Sequence, residues 1–200
     1  MEITTPYINR GDNLSNTMRA FLSLDIEDSS LLSNIVRIQG KLDTDAMKVK
    51  IVERENIHFT LRFFGDTQIS RIQQIRGALS SIELSKFKIR IEGVGAFPTK
   101  RNPRVIWIGV TQGEKKINQL KLAVETKLEE IGYGRDKRFH AHATIARVHR
   151  IKNRDSILNN LEALAMEQIG DMLVSSFRMT KSTLMPSGPI YETVWEVPLN

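Results

Sequence analysis

The chain of 200 residues contains no cysteine. That single absence excludes disulfide scaffolds, thiol nucleophiles, iron–sulfur clusters and thiolate zinc sites. No apolar run approaches the ~18 residues of a membrane-spanning helix. No glycine-rich phosphate loop is present, so the P-loop and dinucleotide-binding classes fall away. The N-terminus, Met-Glu-Ile-Thr-Thr-Pro6-Tyr-Ile-Asn-Arg-Gly11, has neither a basic start nor an apolar core, and does not read as a signal peptide. What is there looks globular: 40% hydrophobic and 26% charged residues, enough to build a core without staples. Lys and Arg number 29 against 23 Asp and Glu, a net charge of +6. This balance suits a polyanionic partner such as RNA but does not identify one.

Residues 1–17 are polar and read as a disordered N-terminal extension, leaving 18–200 as one domain. An α+β order follows. Phe21–Ile26 alternates as a strand, and Asp28, Ser29 and Ser30 offer caps for a helix carrying Leu31, Leu32, Ile35 and Ile38. Ile57–Phe64 reads as a strand and Ile69–Leu79 as a helix. Strands follow at Phe87–Val94 and Val105–Val110, around the basic loop Phe97–Pro103. The second half repeats the order: a helix over Glu114–Ile131, a strand over Phe139–Val148, and a helix capped near Asn153. Two final strands are expected at Leu173–Leu184 and Tyr191–Val197. The tight connections predict mainly antiparallel pairing.

Two segments stand out: Asn56-Ile-His58-Phe59-Thr60-Leu61-Arg62 and His140-Ala-His142-Ala143-Thr144-Ile145-Ala-Arg147. Each places His-x-Thr and an apolar residue in a strand-like run, one copy per half. Residues two apart share a strand face, so His58 pairs with Thr60 and His142 with Thr144, while Phe59, Leu61, Ala143 and Ile145 turn to the core. Two facing imidazoles suit an in-line displacement at phosphorus, with a base on the entering side and an acid on the leaving side. The threonine hydroxyls can donate to phosphate oxygens. Arg62 shares parity with His58, as a phosphate ligand or as an ion-pair partner on the surface. Arg147 has the opposite parity to His142, so only a bulge or strand end brings it inward.

The chain resembles the 2H phosphoesterase superfamily, and within it the RNA 2′,3′-cyclic phosphodiesterases once named 2′-5′ RNA ligases. The resemblance runs from Met18 to Leu199 and rests on both His-x-Thr segments, with Gly95-Ala-Phe97-Pro98, Pro103–Gly109 and Leu184–Glu192 beside them. Ala141 departs from it, standing where the family commonly has proline. The resemblance implies a bilobal fold, two similar lobes with antiparallel sheets flanked by helices around a central cleft. It further implies metal-independent hydrolysis of an RNA 2′,3′-cyclic phosphate end to a 2′-phosphate, with joining of tRNA halves as a possible second activity. By that resemblance His58 is the proton donor and His142 the acceptor, and Thr60, Thr144 and Arg147 hold the phosphate.

The expected protein is a cytoplasmic monomer with RNA as its substrate, no cofactor and no membrane association. Two rivals stay open on the residues alone. His140 and His142 form a His-x-His pair and admit a metal-dependent hydrolase, though no acidic residue lies in that strand. A non-catalytic RNA-binding module is the other. His149 reads as solvent-exposed, Lys100-Arg101-Asn-Pro-Arg104 as a solvated charge cluster or an RNA guide, and Phe97, Trp107 and Tyr191 as core or base-stacking residues.

Overall fold

The computed structural model describes residues 16–136, 139–186 and 188–200. Nine strands and four helices follow in chain order: β1 (Thr17–Asp25), α1 (Ser29–Gln39), β2 (Met47–Ile51), β3 (His58–Gln68), α2 (Ile69–Leu79), β4 (Phe87–Thr99), β5 (Asn102–Gln112), α3 (Glu114–Glu130), β6 (His142–Ile151), α4 (Arg154–Ala163), β7 (Gln168–Val174), β8 (Ser176–Met185) and β9 (Gly188–Pro198). The expected disorder of 1–17 falls mainly outside the described residues. Its last two are in place: Thr17 opens β1, and the Asn16 carbonyl accepts from Ile69 N–H at 3.0 Å.

The helices form where caps and apolar spacing coincide. Asp28 Oδ1 accepts from the backbone N–H of Ser30 at 2.8 Å and of Leu31 at 3.0 Å, opening α1. Asn153 Oδ1 does the same for Asp155 and Ser156 at the start of α4. One face of each helix is then buried: Ile35 and Ile38 in α1, Ile72 and Ile75 in α2, Ile117, Leu120, Val124 and Leu128 in α3, Ile157 and Leu161 in α4. Burying one such side chain contributes roughly 1.5–3 kcal/mol.

All strand pairs are antiparallel, in the order β7-β4-β5-β6-β3-β1-β8-β9, with β2 added to β6. The two expected sheets therefore run on as one curled sheet. They meet where β3 touches β6 through a single register pair, Phe59 opposite Ala143. The chain crosses that seam repeatedly: α1 follows β1 yet packs on β6 and β7, and α3 follows β5 yet packs on α2. One expected strand is split. Leu173–Leu184 is the end of β7, which pairs with β4, and most of β8, which pairs with β1 and β9. The break at Ser175 lets the chain pass from one half to the other. β2 was not expected, although Met47, Val49 and Ile51 alternate with Lys48 and Lys50.

Candidate active site

Phe59 and Ala143, which face each other at the seam, are both buried on the helix-covered side. Their neighbours His58, Thr60, His142 and Thr144 consequently share the other face, all half-buried. Continuing the antiparallel register sets His58 across from Thr144 and Thr60 across from His142. The four side chains thus form a quadrilateral with the imidazoles on one diagonal, next to each other in one sheet and not on two opposed sheets.

The rings are held alike. His58 Nδ1 donates to the Asn56 carbonyl at 2.8 Å, and His142 Nδ1 donates to the His140 carbonyl at 2.7 Å. His58 Nε2 is free to accept from Thr60 Oγ1 at 3.0 Å. Aromatic rings pack on both: Phe21 stacks on His58 at 4.7 Å between centroids with Tyr191 edge-on at 5.3 Å, and Phe97 meets His142 edge-on at 5.0 Å. Burial pulls the His58 pKa below the ordinary histidine value, and Arg147 and His142 push it the same way, against the Asn56 bond and Asp25. Burial likewise lowers His142, against the bond to the His140 carbonyl, with the His140 ring acting weakly in the same direction as burial. Burial pushes the Tyr191 phenol up, opposed by Arg147 and Arg19.

Both motif strands bulge directly after the threonine. On β3, Ser23 faces Thr60 and Leu22 faces Arg62, so Leu61 stands unopposed. On β6, Trp107 faces Thr144 and Ile106 faces Ala146, so Ile145 stands unopposed. A bulge inverts the alternation beyond it. Ile145 and Ala146 are therefore buried in succession, and Arg147 emerges exposed on the histidine face, as the parity argument required. It lines two recesses there, of about 130 and 460 Å³, each shared with Tyr191.

The same inversion takes Arg62 off the His58 face and makes it an ion-pair partner, one of the two roles its sequence position admits, though a half-buried one and not a surface one. Past the Leu61 bulge it turns from the cleft and donates to Glu125 Oε2 at 2.5 Å and to the Gly134 carbonyl at 2.8 Å. Burial opposes ionisation of Glu125, but Lys121, the Asp136 N–H and Arg62 outweigh it and hold the carboxyl below its usual range. The cleft position after the bulge goes instead to Phe63, which is 68% exposed and lines the 460 Å³ recess with Arg19 and Arg147. Sequence alternation pointed away from Phe63; the bulge was the missing signal.

His140 is exposed beside Trp107, 4.7 Å between ring centroids, and Trp107 lies flat over Gly95, where a Cβ would come within 2.2 Å of the indole. No group of three or more His, Asp or Glu forms a ligand cluster among the described residues. His149 is exposed, and Arg101 of the basic loop pairs with Asp155 at 2.9 Å.

A curled antiparallel sheet backed by helices, with a His-x-Thr strand from each half on one face, is the architecture of a two-histidine phosphoesterase. The chain belongs to the LigT-like phosphoesterase family, whose model matches it over 26–107 and again over 108–191, once per half. Among its relatives, a protein of Archaeoglobus fulgidus named RNA 2′,3′-cyclic phosphodiesterase is 40% identical over 175 residues, covering 88% of this chain and 97% of the relative. Another of that name, from Aeropyrum pernix, is 34% identical over 168 residues, covering 84% and 96%. A crystal structure of a Thermus thermophilus protein superimposes with a TM-score of 0.75 at 22% identity, covering 90% of this chain and 97% of that one. E. coli LigT complexed with 3′-AMP gives 0.72 at 21% identity, covering 92% and 99%. No helix among the described residues is long and apolar enough to cross a membrane.

Proposed function

We propose that this protein hydrolyses the 2′,3′-cyclic phosphate at an RNA end to a 2′-phosphate. The observation that carries the reading is the pair of imidazoles on one concave face, each with Nδ1 pinned to a carbonyl and Nε2 left for chemistry. The names of its relatives support the same substrate class. In the reading, His142 Nε2 takes a proton from water as the water oxygen bonds to phosphorus. The P–O3′ bond breaks, and protonated His58 gives its Nε2 proton to O3′. Thr60, Thr144 and Arg147 hold the non-bridging oxygens, where charge accumulates. The order of the two histidines follows the family resemblance.

The reading takes the protein as a monomer acting on RNA fragments in the cytoplasm. Joining tRNA halves through a 2′,5′ bond is the same displacement with a 5′-hydroxyl in place of water: the P–O5′ bond forms, the P–O3′ bond breaks and O3′ takes the proton. The test is turnover of an oligonucleotide ending in a 2′,3′-cyclic phosphate in excess EDTA, with the product assigned by phosphorus NMR. A 2′-phosphate from wild type and none from His142→Ala supports the reading. Activity that returns only on adding metal overturns it in favour of His140 and His142 as ligands. RNA binding without turnover leaves the binding module.

A further inference from the structure

Each motif strand is braced at its bulge by a buried polar side chain from the crossover helix of the opposite half. Lys121 of α3 donates from Nζ to the Leu61 carbonyl at 2.8 Å. Gln39 of α1 donates from Nε2 to the Ile145 carbonyl at 2.9 Å, and to the Val52 carbonyl at the same distance. Leu61 and Ile145 are the residues left unopposed directly after each threonine, and Lys121 and Gln39 are 5% and 6% exposed. Long polar side chains are seldom so buried without a specific partner. The Ile145 carbonyl also accepts from Val52 N–H at 3.0 Å, so Gln39 occupies its second lone pair.

We infer that Lys121 and Gln39 are positioning residues for the two histidine strands. Each holds a bulge that would otherwise relax toward regular pairing, and the bulge decides which side chains enter the cleft. Flattening the Ile145 bulge would turn Arg147 away from the histidine face; flattening the Leu61 bulge would move Thr60 and His58 relative to Phe63 and bring Arg62 around. Without Lys121 the Leu61 carbonyl loses that donor, and without Gln39 the Ile145 carbonyl keeps only the Val52 N–H, so either change loosens the hold on the bulge. Lys121 has a second duty, its ion pair with Glu125 at 2.7 Å, so the two halves use different residue types at the same task.

The inference rests on the proposed reaction, and its test separates the two. Gln39→Met keeps the side-chain volume and removes the donor. It is expected to weaken inorganic phosphate binding about tenfold, read by calorimetry on the full chain, and to raise KM in the same proportion with kcat within threefold. Lys121→Met is expected to lower kcat about tenfold with KM within threefold, since its bulge adjoins His58 and Thr60. If the charge left on Glu125 prevents folding, Lys121→Met with Glu125→Gln replaces it, with the same expectation. Melting points lowered while phosphate affinity, kcat and KM all stay at wild-type values would overturn the inference. An inactive wild type would overturn the reaction instead, and the phosphate titration of Gln39→Met would still decide for or against the brace.

Discussion

His58 and His142 present the same ring nitrogen to the cleft, because each donates its Nδ1 proton to the carbonyl two residues upstream, Asn56 at 2.8 Å and His140 at 2.7 Å. A carbonyl only accepts, so the proton of each neutral ring lies on Nδ1 and the lone pair on Nε2. Proton transfer in either direction then passes through Nε2 at both residues. Which histidine gives and which takes depends on which carries the second proton when substrate arrives.

That arrangement sets the pH dependence. Free imidazole in peptides has a pKa of about 6.5, and burial lowers both groups here. The profile of kcat/KM is expected to be a bell centred on the acid side of neutrality, its two limbs belonging to the coupled pair. A bound phosphodiester anion favours the imidazolium, so the kcat profile is expected to lie at higher pH. Initial rates from pH 4.5 to 9 check this; a flat profile would count against two titrating imidazoles.

Folding stability is expected to carry the same signature. A histidine with a lowered folded-state pKa binds fewer protons than its unfolded counterpart, so stability rises with pH across the gap between them. The contribution of His58 and His142 is complete above about pH 6.5 and is lost as pH falls below that value. Carboxylates lowered in the fold, such as Asp43 beside Ser156 and the Ala46 N–H, matter only below about pH 4. Urea unfolding at pH 7.5 and 5.5 should show a drop in wild type that the double variant His58→Gln, His142→Gln lacks.

The two arginines are expected to behave oppositely. Arg147→Ala removes an exposed cleft cation and should lower kcat/KM at least a hundredfold with little change in melting temperature. Arg62→Ala should leave kcat/KM within a few-fold but cost about 1–3 kcal/mol of stability, by stripping a buried carboxylate of one partner. Equal activity losses in both would refute the parity inversion at Leu61.

Phe63 is expected to report on the base next to the reacting phosphate. Stacking on an aromatic ring contributes about 1–3 kcal/mol per base, so Phe63→Ala should raise KM for an oligonucleotide about tenfold or more. Its melting temperature should stay near wild type because the ring is exposed. An unchanged KM would remove Phe63 from the RNA path.

Much of the fold was legible from local chemistry. Asp28 and Asn153 cap their helices as their residue types favour, and the apolar faces of α1 and α3 are the ones their spacing marks. Leu173–Leu184 reads as one continuous strand because its residues suit a strand throughout; only the partners of β7 and β8 separate them. The five residues of β2 alternate, but so short a signal does not stand alone in a sequence. Arg147 was legible only as a problem, a wanted residue on the wrong face.

Residue type and alternation by themselves determined that two His-x-Thr pairs would share a face with apolar residues behind them, because side-chain direction in a strand follows from backbone geometry alone. Tertiary structure decided the rest of the cleft. Whether a strand bulges depends on what its neighbours and covering helix offer the extra carbonyl, here Lys121 from one half and Gln39 from the other. Those long-range hydrogen bonds accompany the change of parity that admits Arg147 and Phe63 and turns Arg62 to Glu125, and no local pattern records them.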